Sequence, residues 1–252
     1  MMNKILLVGP SKKLKSFNLE FFEDCKKEGY SIISYSDSIS RLKEIEYKPD
    51  YHCFIDPATI RGPSEEHPFL EDVDLLVADV FGQHPELSSY FNNFNRVFKY
   101  PVDEYPPVNA IESTPKPHGS SLTLSFGAPL EIEVTKDEDK HIDFYEKYYM
   151  FQPTFILSSH SMKRLNTDKF SCYLLPLVLF HFKNLKKIDC IGFGDFDVDR
   201  GWGSQRSDGY EDYKETFDIV VPYFKNFFEK NNIEINFLGD TSNNYYFKKL
   251  RE

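Results

Sequence analysis

Three aspartates at alternate positions, Asp195, Asp197 and Asp199, follow directly on Gly192-Phe193-Gly194. Carboxylates spaced in this way can share a divalent cation, so Mg²⁺ or Mn²⁺ bridging a diphosphate is one chemistry open to them. Pairing with Arg200 and Arg206, or plain solvation, is the other. A calcium loop is excluded, because Arg200 stands where such a loop needs glycine and Arg206 where it needs its final glutamate. Arg200 and Arg206 lie on either side of Trp202 and suit a donor phosphate or an acidic acceptor, since a guanidinium grips such groups with two parallel hydrogen bonds. Two surface ion pairs would explain them as well. His160 closes the apolar run Thr154-Phe155-Ile156-Leu157 and titrates near neutrality, which makes it a candidate base beside the commoner reading of a satisfied structural histidine. His118 sits beside Gly119 in a proline-rich stretch, as a lid residue or a surface one. Ser171, at the start of an apolar helix, can offer a hydroxyl and nearby backbone N–H groups to an anion, or simply cap the helix. No zinc constellation, phosphate-binding P-loop or Gly-x-Ser-x-Gly elbow is present.

The elements that must position these groups follow from apolar runs and their punctuation. The run from Tyr173 to Phe182 predicts a helix capped by Thr167 and Asp168 and kinked at Pro176. Ile188 to Ile191 then predicts an interior parallel strand that breaks at Gly192-Phe193-Gly194, where a doubly wound sheet places its ligands. Upstream, a strand over Lys4–Val8 ends in Gly9-Pro10-Ser11 and leads to a helix over Phe17–Lys27. A strand over Ser31–Tyr35 ends in Ser36-Asp37-Ser38, a short helix spans Ile39–Ile45, and a strand over Tyr51–Ile55 ends in Asp56-Pro57. A fourth strand falls within Asp72–Val80 and a short helix within Pro85–Phe94. Near the C-terminus come a long amphipathic helix over Tyr210–Asn231, with Phe217, Val220, Val221, Phe224, Phe227 and Phe228 on its buried stripe, and a strand over Ile233–Leu238.

These elements predict an α/β, Rossmann-like fold with a mainly parallel sheet and helices on both faces. Residues 1–252 form one nucleotide-binding domain, and the proline-rich stretch 101–153 is an inserted lid or hairpin. Within it Ser121 to Val134 predicts a hairpin that turns at Gly127-Ala128-Pro129, and the charge run Lys136 to Lys140 a solvated turn.

Composition narrows the function. A chain of 252 residues with 40% hydrophobic content can bury one full core. A formal net charge of -10 argues against nucleic acid as the main partner, which would need a basic surface. The opening MMNKILLVGP reads as a first strand and not a signal peptide, and no stretch is long enough to span a membrane as a helix. The four cysteines, Cys25, Cys53, Cys172 and Cys190, lack metal spacing and read as reduced buried thiols, so a cytoplasmic location is expected.

With the strand ends placed, the chain resembles the bacterial sialyltransferases of glycosyltransferase family 42 and, more loosely, the wider group of sialyltransferase-like and DUF115-type proteins. The likeness lies in KILLVGPSKKL, in HCFIDPATI with Asp56 in the place of the family's asparagine, in FSCYLLPLVLFHFKNLKKIDCIGFGDFD, and in the closing helix-strand unit that ends in IEINFL. It implies transfer of a sugar from a nucleotide-activated donor, usually a CMP-sugar, to a glycan hydroxyl, with no obligatory metal. Carried over, Gly9, Pro10, Ser11, Asp37, Asp56 and Ser171 line the donor nucleotide, joined by Gly192 at the strand end. The family's catalytic histidine precedes the closing helix, and the corresponding stretch GWGSQRSDGYEDYKE contains none. Asp208, Glu211 or Asp212 is therefore the expected base, with His160 as the runner-up. Two alternatives stand beside this reading: a metal-dependent, pyrophosphate-transferring enzyme of the DUF115 type, and a catalytically silent nucleotide- or glycan-binding module.

Overall fold

The computed structural model describes residues 4–54, 68–78, 91, 93–100, 126–130, 148–151, 170, 174–182, 184–194 and 210–252. Short apolar runs become the strands β1 (Lys4–Val8), β2 (Tyr30–Tyr35), β3 (Tyr51–Phe54), β4 (Asp74–Ala78), β5 (Arg96–Tyr100), β8 (Lys187–Ile191) and β9 (Glu234–Phe237). They hydrogen-bond as a seven-stranded sheet in the order β5-β4-β3-β2-β1-β8-β9, and every pair is parallel. The chain lays down β1 in the middle, winds outward to β5, then returns to place β8 on the other side of β1. Sheet order therefore reverses between β1 and β8.

Because side chains alternate along a strand, each strand feeds two cores. Leu6, Val8 and Ile32 meet Phe22 of α1 (Leu19–Lys27) and Leu42 of α2 (Ser38–Glu44) on one face. Ile5, Leu7, Ile33, Ile188 and Cys190 meet the helices α3 (Leu175–His181), α4 (Tyr210–Asn231) and α5 (Tyr245–Arg251) on the other. An α/β sheet with helices on both faces is thus the observed architecture. No helix among the described residues is long and apolar enough to cross a membrane.

Several local expectations change. Pro176 occupies the first turn of α3, where a missing N–H costs nothing, and so it does not kink the helix interior. Gly127-Ala128-Pro129 is not a turn: it lies inside β6 (Phe126–Leu130), which pairs antiparallel with β7 (Tyr148–Phe151) as a separate two-stranded sheet with an irregular register. Pro222 lies inside α4 on its exposed side. β5 and α5 are additions that the apolar patterning did not predict. The strand at Thr154–Leu157, most of the helix at Pro85–Phe94, the charge run at 136–140, the caps Thr167 and Asp168, and Cys172 lie outside the described residues. Cys25, Cys53 and Cys190 are free thiols.

Candidate functional site

All seven strands run the same way, so the segments that leave β1, β2, β8 and β9 emerge on one edge. At that edge β1 and β8 stay joined beyond the strands themselves: the Gly9 N–H donates to Ile191 O at 2.8 Å and the Ser11 N–H to Gly192 O at 3.3 Å. The two glycines are needed for each other. A Cβ on Gly9 would stand 2.4 Å from Gly192 O, and a Cβ on Gly192 would stand 2.8 Å from Gly9 O. Gly192 and Gly194 also have φ of 73° and 76°, the left-handed region that glycine enters without strain.

The loop Gly192-Phe193-Gly194 is held from its other side too. The Asn244 side chain donates from Nδ2 to Phe193 O at 2.7 Å, and the Tyr245 N–H donates to Gly194 O at 2.9 Å. All three carbonyls of the loop are thereby engaged. Phe193 is buried, its ring 6.0 Å from that of Tyr35 and 4.8 Å from that of Phe170.

Ser11, expected to line a nucleotide, is buried, and its hydroxyl accepts from the Lys13 N–H at 3.2 Å, capping the 3-10 turn Lys12–Ser16. Lys13 reaches across to the segment after β9, with Nζ 3.4 Å from Asp240 O. Hydrogen bonding to Ser242 and the nearby Lys13 ammonium lower the Asp240 pKa. Asp37 sits at the N-cap position of α2 without a side-chain cap bond to that helix. Its neighbour Ser38 is the fully buried member of the pair: the hydroxyl accepts from the Tyr35 N–H at 2.9 Å and donates to Val8 O at 2.8 Å, tying the end of β2 to the end of β1.

The structure thus brings Gly9, Pro10, Ser11 and Gly192 together at the reversal of strand order, with Asp37 at the end of β2 on the same edge. Glu211 lies in the first turn of α4, the end of that helix nearer this edge, since its other end passes into the amino end of β9 through the Ile233 N–H to Phe228 O bond. Asp56, His160, Ser171, Asp195, Asp197, Arg200, Trp202, Arg206 and Asp208 lie outside the described residues, as do Asp199 and His118. Among the described residues no group of three or more His, Cys, Asp or Glu side chains converges as a metal site would require.

Sequence reasoning missed Ser38 as a staple and Asn244 altogether. Asn-Tyr-Tyr after Gly-Asp-Thr-Ser-Asn carries an N-cap signal that would have found a helix there, although nothing local reveals that the same amide reaches 51 residues back to Phe193. Two interior histidines are no part of this edge. Burial drives the pKa of His52 down to about 3, with the Ser34 hydroxyl 2.8 Å from its Nδ1, and drives that of His181 down to about 4, helped by Arg96. Compared with protein-family models, with curated proteins and with solved structures, the chain matches none.

Proposed function

We propose that the chain is a glycosyltransferase that takes a sugar from a CMP-linked donor bound at the carboxyl edge, where sheet order reverses between β1 and β8. One observation carries this reading: the two strands that flank the reversal end in Gly9 and Gly192, side by side, and doubly wound sheets hold ligands beyond the carboxyl ends of their strands at such a point. The donor nucleotide would lie along Gly9, Pro10, Ser11, Asp37, Asp56 and Ser171, with Arg200, Trp202 and Arg206 fencing the acceptor. In the transfer an acceptor hydroxyl oxygen attacks the anomeric carbon, the bond from that carbon to the CMP phosphate breaks, and CMP leaves with the electron pair. Asp208, Glu211 or His160 takes the hydroxyl proton. Mg²⁺ or Mn²⁺ at Asp195 and Asp197 is not required by this route.

A thermal-shift screen of CMP, UDP and GDP, with and without Mn²⁺, tests the reading. CMP alone is expected to raise the melting temperature, since a ligand at about a hundred times its Kd stabilises the fold by about 2.7 kcal/mol. Stabilisation that needs Mn²⁺ would replace this reading with metal-dependent pyrophosphate transfer. Binding without transfer or hydrolysis would leave a silent binding module, and no response to any nucleotide would overturn the donor site.

A further inference from the structure

Asn244 has two jobs that its two amide atoms divide between them. Oδ1 accepts from the Phe247 N–H at 3.0 Å and so caps α5, while Nδ2 donates to Phe193 O at 2.7 Å. The side chain is only 4% exposed, and a Cβ on Gly194 would stand 2.5 Å from Oδ1, so the amide and the loop are fitted to each other without slack. Peptide units are planar and trans, and each N–H therefore points opposite to the C=O of the same unit. Holding Phe193 O against Asn244 fixes the direction of the Gly194 N–H, just as holding Gly192 O against Ser11 fixes that of the Phe193 N–H.

We propose that Asn244 is a positioning residue for the ligand site: its amide holds the Phe193-Gly194 peptide so that the Gly194 N–H points away from α5 and is set to receive a negatively charged oxygen beside the strand-order reversal, whereas the Gly192-Phe193 peptide, whose carbonyl faces Ser11, turns its N–H the other way. This rests on the nucleotide-donor reading above for the identity of the ligand, and on geometry alone for the orientation of the loop. The C-terminal helix is then part of the binding apparatus. Tyr246, packed on Phe170 at 4.8 Å and on Phe217 at 4.3 Å between ring centroids, anchors it, and the cap residue transmits that anchorage to the loop.

Asn244→Asp separates the two jobs. Aspartate caps a helix as well as asparagine does, so α5 stays in place, but a carboxylate has no hydrogen to give and turns the Phe193 O contact from attraction to repulsion. At about pH 8 the variant should bind CMP about tenfold more weakly than the unmodified chain, and amide exchange at Phe193 and Gly194 should quicken by a similar factor. Lowering the pH to about 5 should restore both, because burial favours the protonated carboxyl, which can donate again. Both readouts are taken relative to the unmodified chain at the same pH, which cancels the protonation of the CMP phosphate at about pH 6 and any titration of Asp240, Lys13, Lys248, Tyr245 and Tyr246 on the neighbouring turns, so recovery relative to that chain belongs to the introduced group. Asn244→Ala, which removes both jobs, should lose helix α5 as well and show no recovery. Unchanged CMP affinity in Asn244→Asp, or weakening that pH does not reverse, would overturn the proposal. If the unmodified chain itself fails to bind CMP, the donor reading falls, and the exchange rates at Phe193 and Gly194 alone decide the role of Asn244.

Discussion

At the amino edge of the sheet the strands begin with Lys4, Tyr30, Tyr51, Asp74, Arg96, Lys187 and Glu234, and charged side chains do most of the joining. Asp74 is gripped by Arg96 and Asn95, Asp50 by Lys26 and the Ile32 N–H, and Asp189 by Tyr30 at 2.6 Å, Asn236 at 3.0 Å and Lys187 at 3.2 Å. The Lys4 and Lys187 ammonium groups stand 5.3 and 5.7 Å from the centre of the Tyr30 ring. Burial, then the bond to Asp189, raises the Tyr30 pKa, while the bonds to Tyr30 and then Asp189 raise that of Lys187. At the carboxyl edge most of the joining is done by backbone amides, two serine hydroxyls and one asparagine, with a single ammonium, that of Lys13, reaching the Asp240 carbonyl, around glycines that cannot be replaced without a clash. Charge pairs that satisfy one another fully have nothing left for a ligand. Backbone and hydroxyl groups that orient a loop without saturating it do, and this contrast is the reason for proposing the ligand site at the carboxyl edge and assigning the amino edge to stability.

Asp189→Ala should break the amino edge hardest. It takes the acceptor from the buried Tyr30 hydroxyl, while the half-buried Asn236 amide keeps its bond to Glu234 at 2.9 Å and Lys187, partly exposed, turns toward solvent, for a loss of about 2 kcal/mol in urea unfolding. Ligand affinity per folded molecule should stay within about twofold of the unmodified chain, since nothing at the carboxyl edge is touched. A large fall in affinity at intact fold would show that the two edges are coupled and that the contrast is wrong.

Acid sharpens the comparison along the sheet instead of across it. His52 of β3 and His181 of α3 are neutral in the fold, with pKa values lowered from 6.5 to about 3 and about 4. The unfolded chain protonates below about pH 6.5 while the folded chain does not, so stability is complete above that point and is lost as the pH falls toward the folded values. Each histidine adds a slope of about 1.4 kcal/mol per pH unit within the window. His52 stacks on Phe94 and His181 lies edge-on to Tyr51 and Phe98, so this sensitivity belongs to the β3 to β5 wing and spares the join of β1 to β8. Urea midpoints between about pH 7 and pH 5 should fall, and His52→Leu should remove about half of the slope. An unchanged slope would mean that His52 takes up its proton as readily in the fold as in the unfolded chain.

What the sequence disclosed and what it hid follow the same division. Strands β1 to β4, β8 and β9 and helices α1 to α4 were legible because an apolar run of the right period, bounded by small or polar residues, needs no distant partner to be recognised. β5 was hidden because RVFKY is short and opens on the arginine that pairs with Asp74, a cross-strand partner 22 residues back. α5 was hidden because YYFKKLR is short and has no long apolar stripe: its Asn244 cap is a local signal with little periodicity behind it, and its Tyr246 contacts are tertiary. At the site, the glycine turns were legible as punctuation, but their reason was not. Gly9 and Gly192, 183 positions apart in number, are required by each other's carbonyls, which only the sheet order reveals.

The finest test of the carboxyl edge is Ser11, where the capping and ligand readings meet in one hydroxyl. Its oxygen accepts from the Lys13 N–H, yet a hydroxyl that accepts still has a hydrogen to donate, so capping does not compete with a phosphate contact. Ser11→Ala should cost about 1 kcal/mol by loss of the cap, and weaken CMP binding by a few fold through loss of the donor. Ser11→Asp distinguishes the two contributions, because aspartate keeps the cap and therefore most of the stability, while its charge repels a phosphate at the same spot. Urea unfolding and calorimetric titration with CMP on the same samples should show near-normal stability together with lost binding. If Ser11→Asp binds CMP as the unmodified chain does, the hydroxyl serves the fold alone, and the ligand must be held farther along the edge toward Asp37.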